Sequence, residues 1–430
     1  MERVTSTILE SLPGPPARPE SPDLIRLLGG PRSERAPRTC GCRVTRDCQC
    51  PTLLSLGVDR GAVVAQADAQ LYDADRCPDS GCVWRSLLAL VFAGDLMLAD
   101  LHCSRLSEQP RWSGTSPAAQ VVQIVRSRIG FLVGDPGGAR RILGELVQAP
   151  IAESLEAVVV GWLTEALVQL GEPYTAENLL IGRGYSGTLP AHLPGKALLL
   201  HARGQLHLAL RRSNRALKDF LACGAEVAAC DFANPTVIPW RTGVALCLRE
   251  LKQVELARTL ARTELTGARR WGSPREIGRT LLTAALLEDG PDARDLVAEA
   301  VDLLATSDAR GDVAYAAHVL GAIPGLQHDV AGVRQILRRI TDLTQRSGSR
   351  HAADRAAEEL SGFLSVHGDP VLTKHELGVV KLVWAGYNNT EIADHLSLTR
   401  RTVEHHLSSI YRKFGLADRR HLFLAMTEFL

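Results

Sequence analysis

The chain has 430 residues, a net charge of +1, 45% hydrophobic and 23% charged residues, which excludes a disordered polyelectrolyte and leaves room for two to four domains. With so small a net charge, any nucleic-acid footprint must be local. Aromatic residues make up only 5% of the chain, so the core has to rest on Leu, Val and Ala. No run of apolar residues is long enough to span a bilayer, since the longest candidate, Leu87 to Gly94, is ended by Asp95.

Residues 1–58 read as a flexible arm rich in Pro, Arg and Cys. The segment from Met1 to Pro16 has no basic stretch feeding an apolar one, so it does not read as a secretory signal, and a cytoplasmic location is expected. Cytoplasmic cysteines are thiols or metal ligands rather than a disulfide framework. Cys40, Cys42, Cys48 and Cys50 lie within eleven residues of each other. Four such thiolates can hold a zinc ion tetrahedrally, or form a redox-labile group whose thiol pKa values are lowered by Arg38, Arg43 and Arg46. They can equally be unligated thiols on a flexible arm, and no other cofactor is indicated. Cys223, Cys230 and Cys247 read as small buried apolar residues.

From about residue 59 to 363 the pattern is helix after helix, with strand signals nearly absent. Turns at Gly94-Asp95, Gly134-Asp135, Gly171-Glu172 and Arg211-Arg212 are each followed, five residues after the first turn residue, by Ala99, Ala139, Ala176 and Ala216. Weaker copies put Ala257, Ala293 and Ala331 in the same place. The spacing stays near 38 residues, which fits two helices and two short turns. A tetratricopeptide-like solenoid is expected, with a small residue where each helix pair crosses. Such an array offers extended surfaces for a protein or small-molecule effector. A linker is expected over 364–371, where Gly368-Asp369-Pro370 disfavours helix.

The tail, 372–430, reads as three capped helices. Thr373-x-x-Glu376 is a capping box, with the helix running to about Ala385 and closed by Gly386. Asn388-x-x-Glu391 caps a short second helix ending near Leu396, and Thr399 caps a third that runs to about Phe414. Short helix, tight turn and longer helix are the parts of a helix-turn-helix. Leu377, Val380, Ile392, Ala393, Leu396, Val403, Leu407 and Ile410 recur at helical spacing as its small core. Arg400 and Arg401 open the third helix, where free backbone N–H groups also favour phosphate. Between residues 400 and 420, six basic side chains face two acidic ones, a local excess of +4 in a chain whose total is +1.

This tail resembles the DNA-binding domain of the LuxR family of bacterial regulators. The resemblance is carried by Leu372-Thr373, Glu376, Gly386, Asn389-x-Glu391-Ile392-Ala393, Thr402-Val403-x-x-His406, and Ile410 with Arg412-Lys413. It implies an all-α protein whose four-helix reader binds double-stranded DNA and forms a homodimer through its last helix, Asp418 to Phe429. It implies base readout by Glu404, His405 and Ser408, and phosphate contacts by Asn389, Thr399, Arg400, Arg401, Thr402, Arg412 and Lys413. RNA polymerase is the partner that such a regulator serves, with activation the expected sign. Glu404 stands where many family members carry Lys; a carboxylate can accept from cytosine N4 but cannot donate to guanine. His375 and Gly378 also depart from the usual Arg and Glu.

Upstream, Asp219 to Gly224, Asn234-Pro235 with Pro239-Trp240-Arg241, and Ala268 to Arg275 resemble the C-terminal half of the large ATP-binding regulators of that family. No Gly-x-x-x-x-Gly-Lys-Ser/Thr occurs in these 430 residues, so ATP-driven switching is not carried over. No catalytic triad or carboxylate pair stands out, and no enzyme activity is expected. Two other readings stay open at this level. In one, the solenoid titrates another regulator; in the other, Cys40 to Cys50 make DNA binding respond to thiol chemistry or metal.

Overall fold

A computed structural model describes residues 24–31, 50–72, 79–307, 309–323, 329–346, 350–367, 373–414 and 418–422. Among these the chain is all α. Helices α1 (Leu24–Leu28), α2 (Cys50–Leu56) and α3 (Arg60–Tyr72) lead into seven antiparallel pairs. The pairs are α4 (Ser80–Ala93) with α5 (Leu96–Ser107), α6 (Pro117–Val133) with α7 (Pro136–Gln148), and α8 (Glu153–Gln169) with α9 (Pro173–Gly182). Next come α10 (Lys196–Ala209) with α11 (Ser213–Ala229), and α12 (Trp240–Glu250) with α13 (Val254–Trp271). The last are α14 (Pro274–Ala285) with α15 (Gly290–Ala305), and α16 (Arg310–Ala322) with α17 (Val330–Arg346). Helix α18 (Arg350–His367) closes the array.

The recurring turn works as its residue types require. Gly94 and Gly134 take the left-handed conformation that ends the first helix of a pair, at φ 78° and 105°. The Asp that follows caps the second helix, with Asp135 Oδ1 accepting from Gly138 N at 2.8 Å. The repeat Ala is the fourth residue of its helix in α5, α7, α9, α11, α13 and α15, and is fully buried in each. The seventh copy departs from the expected register. Ala331 is the second residue of α17 and half-buried, and Val333 holds the fourth, buried position. The sequence period alone could not place it, because residues 324–328 precede it without a Gly-Asp turn at the usual distance.

The array curls on itself. Helix α16 packs against α6, closely enough that a Cβ on Gly311 would lie 3.2 Å from Gly134 Cα. The Trp271 indole at the end of α13 donates to Phe92 O at 3.1 Å, so the first pair and the end of the fifth are also joined. Helix α4 is correspondingly buried from Gly81 to Ala93, Arg85 alone being partly exposed in that stretch.

The expected loose arm does not hold for two stretches. Gly30 N donates to Ser154 O at 2.8 Å, Gly195 N to Arg26 O at 2.9 Å, and the Trp84 indole to Gly29 O at 2.9 Å. Leu27 and Leu28 are buried by the same packing, and Arg26 pairs with Glu226 at 2.9 Å. Helix α2 is pinned too, with Ser55 O accepting from Ala233 N and Asn234 N at 2.8 and 2.7 Å. A five-residue apolar segment has no periodicity to read, and only docking buries it. The linker also begins later than expected, since α18 continues to His367; the first helix breakers are Gly368 and Pro370.

Among the described residues the buried apolar side chains form three clusters. One runs through the first five pairs, one through α14 to α18, and a small third one belongs to the C-terminal helices.

Candidate nucleic-acid interface

Among the described residues three full helices belong to the C-terminal unit, α19 (Lys374–Trp384), α20 (Asn389–Leu396) and α21 (Arg400–Phe414), and residues 419–422 are helical as well. Each expected cap is made. Thr373 Oγ1 accepts from Glu376 N at 3.2 Å while the Glu376 carboxylate takes Thr373 N at 2.8 Å, and Asn388 with Glu391 repeats the exchange. Gly386 supplies the left-handed residue after α19, at φ 89°. Thr399 Oγ1 accepts from Thr402 N at 3.1 Å and starts α21. Between α20 and α21, Ser397 turns the chain at φ 53°.

Val380, Ile392, Ala393, Val403, Leu407 and Ile410 are buried as expected, Leu396 is half-buried, and Val379, Val383 and Leu422 join them. Leu377 is the exception, 44% exposed. The face of α19 set by Glu376, Val379, Val380 and Val383 turns inward, which carries Leu377 and Trp384, seven residues apart, outward.

Because Val403, Leu407 and Ile410 commit one side of α21 to this core, the other side is free for a ligand. Arg400, Arg401, Glu404, His405, Ser408 and Arg412 all lie exposed on it. Arg400 Nε is 2.9 Å from Glu404 Oε1, a solvent-exposed i,i+4 pair, and Ser408 Oγ donates to Glu404 O at 2.9 Å. The His375 and His406 rings lie parallel with centroids 6.1 Å apart, joining the first turn of α19 to the middle of α21.

Two expected phosphate contacts are turned inward. The Lys413 ammonium binds the Glu376 carboxylate, which also accepts from Ser409 Oγ at 2.8 Å. Asn389 Oδ1 accepts from Arg419 Nη1 at 2.9 Å, and Arg419 also donates to Tyr387 O, so Arg419 braces the turn before α20. Thr399 and Thr402 hydroxyls bond each other at 2.8 Å at the start of α21. The exposed cations on the outer side are thus Arg400, Arg401 and Arg412.

Glu376 was legible as a capping residue, but its hold on α21 was not, since Lys413 lies 37 positions away. Burial disfavours its charged form, yet the bonds from Lys413, Thr373 and Ser409 outweigh that and hold its pKa at about 2. The sign follows directly. The contribution is present above the ordinary value near 4.5 and is lost as pH falls from there toward 2. Glu376→Gln is expected to destabilise the C-terminal unit by about 2 kcal/mol at pH 7. Urea titrations followed by Trp384 fluorescence should show the gap closing toward pH 3; a gap that stays constant would mean that the carboxylate charge is not what matters.

Cys50 does not present a ligand to solvent. It is buried in α2, with Sγ 3.9 Å from Val63 O. Cys40, Cys42 and Cys48 lie outside the described residues.

Residues 370–426 match the family described as bacterial regulatory proteins, luxR family. The C-terminal unit is a LuxR-family helix-turn-helix DNA-binding domain. The longer chain is also similar to named regulators. It is 25% identical over 209 residues to the HTH-type transcriptional regulator MalT of Vibrio parahaemolyticus, covering 45% of this chain and 23% of the relative. It is 26% identical over 363 residues to Mb0914c of Mycobacterium bovis, which bears the name of an HTH-type transcriptional regulator, covering 74% of this chain and 38% of that one. The chain therefore spans 23% to 38% of the length of these relatives. A signal-transduction ATPase with a tetratricopeptide repeat sensor, PH0952 of Pyrococcus horikoshii, overlaps 72% of the chain and 50% of its own at 13% identity and a TM-score of 0.35, a likeness too slight to define a shared fold. Within the LuxR domain, Glu404 and His405 lie exposed on the outer side of α21, and no helix among the described residues is long and apolar enough to cross a membrane.

Proposed function

We propose that this chain is a cytoplasmic, sequence-specific transcription regulator that acts as an activator. Its body, residues 59–363, receives a protein or small-molecule signal, and its reader, residues 372–430, places α21 in the major groove. Two chains bind as a homodimer to inverted half-sites about one helical turn apart, where they engage RNA polymerase. The observation that carries this reading is the outer face of α21, where Arg400, Arg401, Glu404, His405, Ser408 and Arg412 are exposed together in a LuxR-family domain.

Each side chain has a role set by its chemistry. Arg401 and Arg412 contact phosphates, and Arg400 does so on leaving Glu404. Glu404, freed in the same exchange, accepts from cytosine N4, while His405 and Ser408 take neighbouring base edges. Thr399, Thr402 and Asn389 lend backbone and amide donors at the two helix starts.

Selection of duplexes from a random library, followed by footprinting, tests the reading directly: enrichment of an inverted repeat supports it, and no enrichment removes it. On the selected duplex, Arg401→Ala is expected to weaken binding to all sequences and to lower the slope of log K against log salt by about one. Unchanged affinity at fixed salt would take Arg401 out of the phosphate contacts. Glu404→Ala is expected to change the preferred base at one position per half-site more than it changes affinity; a uniform loss across sites would contradict direct readout.

A further inference from the structure

The C-terminal end of the reading helix is gripped by the helical-repeat body. Arg334 lies on α17, is 5% exposed, and its Nη1 donates to Lys413 O at 3.2 Å. Helices α17 and α21 pack together around this bond. Lys413 sits in the last turn of α21, where carbonyls have no partner within the helix and the helix dipole favours a cation. Its own ammonium holds Glu376 at the start of α19, so the bond from Arg334 reaches both ends of the reader's internal brace.

The contact leaves the reading face open. Arg400, Arg401, Glu404, His405 and Ser408 stay exposed while Arg334 holds the helix end, so the docking is not an occlusion of that face. A helix is a stiff rod, and Ser408 lies only about 7–8 Å along it from Lys413. Whatever fixes the end therefore fixes the direction of the reading row. We propose that Arg334 latches the reader to the body and so sets its orientation toward a second half-site, making α17 the element through which the body acts on DNA binding. This rests on the DNA-reading function proposed above. For two linked readers, a fixed orientation lowers the entropy lost when both bind at once.

The six lysines of the chain allow the latch to be tested apart from DNA. Lys374, Lys381 and Lys413 lie in the reader, and Lys196, Lys218 and Lys252 in the body. With 15N-lysine labelling of the full chain, both sets should share one rotational correlation time. Arg334→Glu, which sets a carboxylate against the carbonyl end, should release the reader set to faster tumbling and leave the body set unchanged. Arg334→Gln removes the charge alone and serves if the Glu variant does not fold; Arg334→Lys should keep the two sets together. Independent tumbling in the unaltered chain, or no release in either charge-removing variant, overturns the latch.

On selected duplexes, Arg334→Gln should bind a two-half-site DNA about fivefold more weakly and a single half-site within about twofold of the unaltered chain. Equal effects on both duplexes, or tighter binding, overturn the orienting role. If the unaltered chain selects no duplex, the regulator reading fails, while the lysine relaxation still decides the docking.

Discussion

Phe220→Ala is expected to cost the helical-repeat body about 3 to 5 kcal/mol, the range for deleting a fully buried aromatic ring from a packed core. Phe220 projects from α11, the second helix of its pair, and is 1% exposed. Its ring fills the space between α10 and α12. A Cβ built on Gly204 of α10 would lie 2.8 Å from the ring, and one on Gly243 of α12 only 2.4 Å from it. The two glycines are there because the ring occupies the volume a side chain would need. The His201 ring meets Phe220 edge-on at 5.6 Å, and His201 in turn contacts Glu165 at 3.3 Å. Removing the ring thus undoes the joint between three consecutive pairs rather than one local contact. Gly243→Ala should be destabilising from the opposite direction, by overpacking, at about 1 to 3 kcal/mol. Chemical denaturation of the three chains checks both. If Phe220→Ala and Gly243→Ala each stay within about 0.5 kcal/mol of the unaltered chain, the size ascribed to an ordinary surface change, this joint is not what holds the pairs together.

The second large effect has the opposite sign. Glu264→Gln is expected to stabilise the chain at pH 8 by on the order of 2 to 4 kcal/mol while changing it little at pH 5. Glu264 lies on α13, is 2% exposed, and neither carboxylate oxygen accepts a hydrogen bond among the described residues. Burial raises its pKa to about 8; Arg241, at 3.7 Å, acts against the rise and Glu276 adds to it. The folded chain keeps the proton between the ordinary value near 4.5 and about 8, whereas the unfolded chain releases it. Stability therefore falls as pH rises through that window and is complete only below it. Gln carries the neutral shape without the titration, so the advantage of the variant should grow with pH. Unfolding free energies at pH 5 and 8 decide it: a difference between the two chains that does not change with pH would place Glu264 ionised throughout.

Glu165 shows how the same class of residue ends up on the other side. It is buried too, which alone would raise its pKa, but Arg128 and His201 hold it at about 2. Two glutamates on long helices of one solenoid, Glu165 on α8 and Glu264 on α13, thus differ in charge state at neutral pH. Neither the helical periodicity nor the local charge pattern distinguishes them, because Arg128 lies 37 positions from Glu165 and Arg241 lies 23 from Glu264. Partner distance and hydrogen-bond geometry make the difference.

What could be read without coordinates was local in the chain. Helix starts at Thr373, Asn388 and Thr399, the left-handed stop at Gly386, and the register of six of the seven repeat alanines depend on interactions that span about one helical turn, so neighbouring residues suffice to specify them. The LuxR domain was recognisable for the same reason, and the exposed row on the outer side of α21 follows from 100° of rotation per residue once Val403, Leu407 and Ile410 face the core.

Tertiary structure alone decided how far the array curls, so that α16 meets α6, and how the strap around Leu27 and Gly30 is bound across α8 and α10. It also decided that Lys413 faces Glu376, and that Arg334 meets the end of α21. Each of these joins residues dozens to more than a hundred positions apart. Such contacts form through the summed small rotations between stacked helices and the space left between them, and no sequence window of one or two turns contains that information.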